Sequence, residues 1–260
     1  MFKIKIGQRW GLVFKTLPFV LAIIAVKFLS HNLGYEFLSL NTLFGAIISA
    51  NIFLIGFLIS GVLVDYKESE KIPSEIAASL ENLADEGYII YKNKQSQVAK
   101  DYLQKLADFN QLMIGWFNKK TKTAKLKTKL FEFNDFFLAF ESLTQANFIA
   151  RLKQEQNNLR RLINRVHTIR ETSFLGTGYA IAEIITFILV VGFIFIKIDP
   201  FYESIFFVSF VSFILIYMIY FIRNLDNPFS YSDKENLVEN VSLKPLFDSH
   251  ERLKSLAKSV

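Results

Sequence analysis

One apolar run, from Leu40 to Val64, most constrains what this chain can fold into, because it contains no ionisable side chain. The run is long enough to cross a bilayer as a single helix, which takes about 20 residues. It ends abruptly in segment 65–71, whose sequence DYKESEK is mostly charged. We therefore expect a membrane-spanning helix whose end is marked by charge.

The same run is not uniformly apolar, because it also contains small and polar residues. At helical spacing, one side of the helix carries Ser49, Phe53, Gly56 or Phe57, and Ser60. Two interpretations stay open at this point. Uncharged aromatic side chains beside small polar ones can form the hydrophobic constriction of a pore. Alternatively, the stripe of Gly45, Ser49, Gly56 and Ser60 is a surface for ordinary helix packing.

Three further apolar segments predict membrane spans at residues 10–29, 179–198 and 201–222. Lys15 and Lys27 lie near the ends of the first segment, where long side chains can extend toward the lipid headgroups. Only Asp199 and Pro200 separate the last two segments. We therefore expect those two spans to form an antiparallel helical hairpin.

Composition indicates a mixed protein, with membrane spans and a substantial polar part. The chain has 260 residues, of which 52% are hydrophobic, and no cysteine. Without cysteine it can form neither a disulfide nor a thiol nucleophile. Its three histidines are far apart in sequence, and no acid–base or metal-ligand pattern is visible. We expect no enzymatic activity, no bound metal and no cofactor.

The distribution of charge predicts how the chain crosses the membrane. Lys3, Lys5 and Arg9 precede the first span, and segment 30–39 between the first two spans has no Lys or Arg. Segment 65–173 holds 18 Lys and Arg against 14 Asp and Glu, and the region after the fourth span begins with Arg223. By the positive-inside rule, both termini and the central segment lie in the cytoplasm, as expected for a bacterial inner-membrane protein. Topology thus accounts for the net charge of +6 without nucleic-acid binding.

Four domains follow from this topology: residues 1–64 with spans one and two, the cytoplasmic segment 65–173, residues 174–223 with spans three and four, and the tail 224–260. Helical spacing in the cytoplasmic segment produces three apolar stripes: Ile76, Leu80, Leu83 and Ala84; Val98, Tyr102, Leu106, Phe109, Met113 and Trp116; Phe148, Leu152, Leu159, Leu162, Val166 and Ile169. Pro73 predicts a helix start or a kink. The tail is interpreted as a docking arm with a short helix at 250–258.

Two further features are candidates for function. Glu183 is an ionisable residue near the start of the third span, where it serves either an ion pathway or the membrane interface. The basic run 119–129 contains six lysines and no acidic residue. It predicts either attraction to lipid headgroups or a solvated surface.

Two short motifs lie at the ends of spans two and four. The first combines Gly56-Phe57 with Asp65-Tyr66-Lys67-Glu68 and Lys71-Ile72-Pro73. The second is Asn227-Pro228-Phe229, directly after the fourth span. The two motifs resemble those of bestrophins, in particular the bacterial bestrophin-like proteins. The order of spans, the large cytoplasmic insert and the tail agree with that family along the whole chain.

This resemblance implies an all-α fold with four transmembrane helices and a homopentamer around an ion pore, surrounded by membrane lipid. The second helix would line a hydrophobic neck with Ser49, Phe53 and Phe57, and Asn51, Gly56 and Ser60 would be further positions on that pore helix. Ser49 departs from the bulky apolar residues of the family and predicts a wider or wetter entrance.

The family's usual cargo is a monovalent anion such as chloride, although bacterial relatives can pass cations. Segment 230–235 contains Lys234 among its acidic residues, so we expect no calcium site of the kind found in calcium-activated members. The alternative function is a non-conducting scaffold or sensor whose cytoplasmic helices and tail bind a partner.

Overall fold

The computed structural model describes residues 10–172, 176–229, 231 and 240–260. These residues are predominantly helical. The helices are α1 (Gly11–Asn32), α2 (Thr42–Lys94), α3 (Gln97–Phe117), α4 (Thr123–Phe131), α5 (Phe133–Phe140), α6 (Ala146–Glu171), α7 (Gly176–Phe195), α8 (Phe201–Asp226) and α9 (Lys244–Lys258). Two short strands, β1 (Leu38–Ser39) and β2 (Ile196–Lys197), pair in parallel, with Leu38 opposite Ile196.

The described chain forms two compact units. The span unit comprises residues 10–66 and 176–228, and the helical unit comprises 67–172, 229, 231 and 240–260. Each unit has its own apolar core. The basic residues Lys3, Lys5 and Arg9 lie outside the described residues, as does most of segment 230–235 with its predicted lack of a calcium site.

All four predicted spans are confirmed as helices long and apolar enough to cross a membrane: α1, the first part of α2, α7 and α8. The helix of the third span, α7, ends at Phe195 and not at the predicted residue 198, because the next two residues form β2. The predicted antiparallel hairpin is also confirmed. Near the start of α7, the hydroxyl of Tyr179 donates a hydrogen bond of 2.8 Å to Asp226, which is the last residue of α8.

Helix α2 runs without interruption for 53 residues and contains Pro73. The predicted helix start at Pro73 is therefore wrong. Proline removes one backbone hydrogen bond from a helix interior, a cost of about 3 kcal/mol, which disfavours continuation. Tertiary packing outweighs that cost here, because Pro73 is buried between Ile72 and Ile76, two residues of the helical unit's core. The apolar run 40–64 and the stripe that begins at Ile76 therefore share one helix.

The core of the helical unit is built around an aromatic cluster. Tyr102 is fully buried, and its ring contacts the rings of Phe133, Phe136, Phe137 and Phe140. Its hydroxyl donates a hydrogen bond of 3.1 Å to the carbonyl of Leu83. A Cβ added at Gly87 would lie 2.5 Å from the Tyr102 ring, so glycine is required where α2 and α3 approach each other. The three predicted apolar stripes, with the exception of Phe148, meet in this core.

The tail docks on the helical unit through α9, which packs against α3. Helix α9 begins at Lys244, earlier than the predicted start at residue 250, and Pro245 occupies its first turn, where proline is well tolerated. Its Arg252 forms ion pairs with Glu81 and Asp85 of α2. Docking therefore uses both an apolar face and surface ion pairs.

Candidate pore-lining face

The apolar part of α2 has two different faces within the span unit. The buried face consists of Asn51, Ile55, Leu58 and Val62, spaced as expected for one side of a helix. The exposed face includes Ser49, Phe53, Gly56, Phe57 and Ser60, and its other large exposed residues include Ile47, Ile52, Leu63 and Val64. On it, Phe53 is 78% exposed and Phe57 is 57% exposed. The sequence prediction that the first five of these residues share a side of the helix agrees with the structure.

Asn51, predicted as a further position on the pore helix, lies on the buried face instead. Its side-chain amide donates a hydrogen bond of 2.9 Å to the hydroxyl of Thr186 on α7. A buried polar group is costly unless it is hydrogen-bonded, so this pair fixes α2 against α7. The Asn51 side chain therefore positions the exposed face and is not part of it.

The small residues of the exposed face do not pack against other described parts of the chain. A Cβ added at Gly45 or Gly56 would meet nothing within 4 Å. A Cβ added at Gly192 of α7 would instead lie 2.8 Å from the Phe44 ring, as expected at a packed glycine. Within the described residues, the packing interpretation of the small stripe thus has no partner in the same chain.

The exposed face carries no charged side chain, and its polar side chains are the hydroxyls of Ser49 and Ser60. The hydroxyl of Ser49 donates to the carbonyl of Gly45, 3.0 Å away, within its own helix. Phe53 and Phe57 are four residues apart, so their rings lie on the same side of α2, about one turn apart. A surface of this kind can form a constriction that is narrow and poorly wetted.

Glu183, the ionisable residue of the third span, is paired in the structure. The guanidinium of Arg223 on α8 lies 2.6 Å from its carboxylate through Nη2 and 2.8 Å through Nε, both to Oε1. Pairing lowers the cost of holding a charge within an apolar segment. The pair also joins α7 to α8 near the ends predicted to be cytoplasmic.

An ionic cluster that the sequence did not predict lies at the other end of the span unit. Lys27 is fully buried, and its ammonium lies 2.6 Å from the carboxylate of Glu36. The same ammonium donates to the carbonyls of Ile194 and Ile196. The expected extension of the Lys27 side chain toward the lipid headgroups is therefore wrong. Its ammonium group is instead held inside the unit by the Glu36 carboxylate and two backbone carbonyls.

His31 completes this cluster. Its Nδ1 lies 2.9 Å from the second carboxylate oxygen of Glu36, and its ring stacks on Phe201 with 3.8 Å between centroids. Burial raises the pKa of Glu36, but the hydrogen bonds and charges of Lys27 and His31 outweigh it and hold that pKa below its ordinary value. The sequence signal was the spacing of Lys27 and His31, one helical turn apart, and an acidic residue in the following link.

The residues of the bestrophin-like motifs have mainly positioning contacts. Glu68 accepts two hydrogen bonds from Arg165 of α6, at 3.0 and 2.6 Å. Phe229 is fully buried in the helical unit against Phe117, with 5.6 Å between ring centroids. Asp65 and Tyr66 are half-buried near the end of the apolar run, and Asn227 and Pro228 follow the end of α8.

Arg170 holds the environment of Phe229 together. It donates hydrogen bonds to the last carbonyls of α3, at Trp116 and Phe117, and its guanidinium lies 6.0 Å from the Phe229 ring centroid. A cation at a helix C-terminus interacts favourably with the helix dipole. Burial lowers the pKa of Arg170 to about 10, so it remains charged at neutral pH.

In residues 10–172, 176–229, 231 and 240–260, no three His, Asp or Glu side chains are grouped as metal ligands would be. Most lysines of the run 119–129 are exposed, and Lys129 pairs with Glu132 at 2.7 Å.

Comparison with known proteins identifies the fold. No family model and no curated protein matches the chain. A crystal structure of a variant bacterial bestrophin homolog from Klebsiella pneumoniae aligns with a TM-score of 0.76 at 13% identity, over 97% of this chain and 98% of that one. A second variant of the homolog aligns with a TM-score of 0.76 at 14% identity, over 94% and 98%. The chain is thus an integral membrane protein with the bestrophin fold, as its two motifs predicted.

Proposed function

We propose that the protein is a bestrophin-like ion channel, a homopentamer whose second transmembrane helix lines a hydrophobic neck. The neck consists of Ser49, Phe53 and Phe57. The supporting observation is the exposed face of α2, where two large aromatic rings on a well-anchored helix have no partner among the described residues. Gly56 and Ser60 continue that face toward the cytoplasm.

The physical argument rests on what several copies of this face would do around an axis. Each copy contributes two phenylalanine rings one turn apart, so a ring of copies forms two stacked aromatic constrictions. Such constrictions gate by excluding water without trapping an ion. Ser49 lies one turn before Phe53 and provides a hydroxyl at the entrance, which makes the entrance wider than a third aromatic ring would.

Monovalent anions such as chloride are the proposed cargo, and cations are the second candidate. The apolar run of α2 carries no acidic side chain that could form a cation-attracting ring. The distribution of Lys and Arg supports cytoplasmic termini and a bacterial inner membrane, with Ser49 nearer the outside.

The test is ion flux from liposomes that contain the purified protein. We expect chloride flux from the wild type, and altered conductance or gating from Phe53→Ala and Phe57→Ala, because a wider, wetter neck has a lower barrier. Phe14→Ala is the matched control, since Phe14 is an exposed phenylalanine on α1. Unchanged conductance and gating in both neck variants would remove the neck assignment.

A non-conducting scaffold or sensor is the second candidate. The helical unit supports it with exposed large apolar side chains that could meet a partner: Ile89, Phe131, Leu138 and Phe247. Absence of any flux from correctly assembled wild-type protein would favour this function over the channel.

A further inference from the structure

A groove in the span unit has no role in the proposed channel. It has a volume of about 410 Å³ and lies between α1, α7 and α8. That volume is within the range of small-molecule sites, about 300–1,000 Å³. Its walls are apolar along most of their length, with Ile23, Val190, Ile216 and Ile219 among the lining residues.

The groove is polar at one end only. Glu183 and Arg223 line that end and form the ion pair between α7 and α8. Both hydrogen bonds of the pair use the same carboxylate oxygen, Oε1. The second carboxylate oxygen and the third guanidinium nitrogen have no hydrogen-bond partner in the part of the chain that the structure describes. The second oxygen of Glu183 and the third nitrogen of Arg223 are therefore both available to a ligand at this end of the groove.

Two lining residues of the groove carry hydroxyls, Thr186 on α7 and Tyr220 on α8. Thr186 lies three residues after Glu183, which is about 4.5 Å further along the helix. The Thr186 hydroxyl accepts a hydrogen bond from Asn51, and its own hydrogen remains available to an acceptor. Apart from these two hydroxyl-bearing residues and the ion pair, the lining residues of α7 and α8 are apolar: Phe187, Val190, Ile216 and Ile219.

We propose that this groove binds one zwitterionic phospholipid of the cytoplasmic leaflet, of the phosphatidylethanolamine class. Such a lipid presents a charged phosphate and ammonium, then an ester carbonyl, then a hydrocarbon chain, in the same order as the groove. The phosphate pairs with Arg223, the ammonium with Glu183, and the ester carbonyl accepts from Thr186. One acyl chain fills the apolar part. The site is separate from the exposed face of α2, so the proposal does not depend on ion conduction.

The test compares two tryptophan variants on the same helix. Ala22 lines the groove, whereas Ala25, also exposed on α1, does not. Delipidated protein is titrated with phosphatidylethanolamine and, separately, with phosphatidylglycerol, and bound lipid per chain is counted by native mass spectrometry. We expect one tightly bound phosphatidylethanolamine per wild-type chain, unchanged binding in Ala25→Trp, and at least a tenfold weaker affinity in Ala22→Trp.

A second variant tests the headgroup assignment without filling the groove. Arg223→Gln removes a charged hydrogen-bond donor, and we expect it to weaken phosphatidylethanolamine binding about tenfold. Equal binding by Ala22→Trp and Ala25→Trp, equal affinity for both lipids, or no effect of Arg223→Gln would overturn the proposal. Dissociation of the oligomer in Ala22→Trp alone would also overturn it, because the groove would then be covered by another copy of the chain.

Discussion

The helical unit and the span unit distribute their side chains in opposite ways. In the helical unit, large apolar side chains such as Tyr102 and Phe137 are buried, and the ion pairs of Arg252 and Arg165 lie at the surface. In the span unit, large apolar side chains such as Phe53 and Phe187 are exposed, whereas Lys27 is fully buried. The difference indicates two solvents, water around the first unit and lipid hydrocarbon around most of the second.

This contrast changes what holds each unit together. Burial of apolar area stabilises a core against water, but it contributes little between helices that are already surrounded by hydrocarbon. The span unit instead uses polar contacts between helices. Examples are the contact of Lys27 with the end of α7, the Asn51–Thr186 and Tyr179–Asp226 hydrogen bonds and the Glu183–Arg223 pair. Substitutions should therefore act differently in the two units.

The largest effect is expected from Lys27→Met. The substitution leaves the Glu36 carboxylate, whose side chain is only 9% exposed, without its closest cation. Removing one partner of a buried ion pair costs about 3–5 kcal/mol. We expect a large fall in the thermal unfolding temperature in detergent. The double variant Lys27→Met, Glu36→Gln should recover part of it, because no uncompensated charge remains.

Lys197→Met is the matched control for that experiment, since Lys197 forms an ion pair with Asp199 but is exposed. Exposed pairs contribute about 0–1 kcal/mol, so only a small change is expected. Equal destabilisation by Lys27→Met and Lys197→Met would contradict the role of the buried cluster.

A pair of glycine substitutions should give the next largest effect. At Gly87 an added side chain would collide with the buried Tyr102 ring, and overpacking a core costs about 1–3 kcal/mol. At Gly56 an added Cβ meets nothing within 4 Å. We expect Gly87→Leu to lower the thermal unfolding temperature. Gly56→Leu should leave it nearly unchanged while altering ion flux. Destabilisation by Gly56→Leu in the monomeric chain would place a packing partner on the exposed face.

The smallest effect concerns pH. The pKa of Glu36 is held below its ordinary value of 4.5, so its carboxylate contributes stability above about pH 4.5 that is lost as the pH falls through the lowered value. The difference in unfolding temperature between wild type and Glu36→Gln should therefore be largest near neutral pH and shrink in acid. Glu203→Gln is the control, because Glu203 is exposed without an ion-pair partner in the described chain. A difference that grows in acid would contradict this account.

The spans and the core of the helical unit were predictable, because each follows from periodicity within one segment. Leu80 and Leu106, for example, recur on apolar stripes that are buried in the structure. The continuation of α2 through Pro73 was not predictable, since local proline chemistry favours a break and only tertiary packing overrides it. The full length of α9 was also missed, because its first turn is held by a contact far away in sequence, in which the Asn110 amide of α3 donates to the carbonyl of Leu246.

The candidate site was predictable only as far as it follows from helical periodicity within one segment. Helical spacing alone places Ser49, Phe53 and Phe57 on one side of α2, but it cannot tell which side is exposed. Burial of Asn51 against Thr186 decides that, and this contact joins residues far apart in the chain. The inward direction of Lys27 likewise depends on Glu36 and on the carbonyls of α7 and β2, which no local pattern reveals.

The central claim is that the exposed face of α2 borders a water-filled ion path and not lipid. Because the chain has no cysteine, single cysteines can be introduced at Ser49 in the outer part of the proposed neck, at Ser60 beyond its inner end, and at Phe206, an exposed residue of α8. Proteoliposomes are treated with a membrane-impermeant thiol reagent, and labelling and ion flux are measured. The account predicts labelling and changed flux for Ser49→Cys and Ser60→Cys, and neither for Phe206→Cys. Absence of labelling at both serine positions would contradict it.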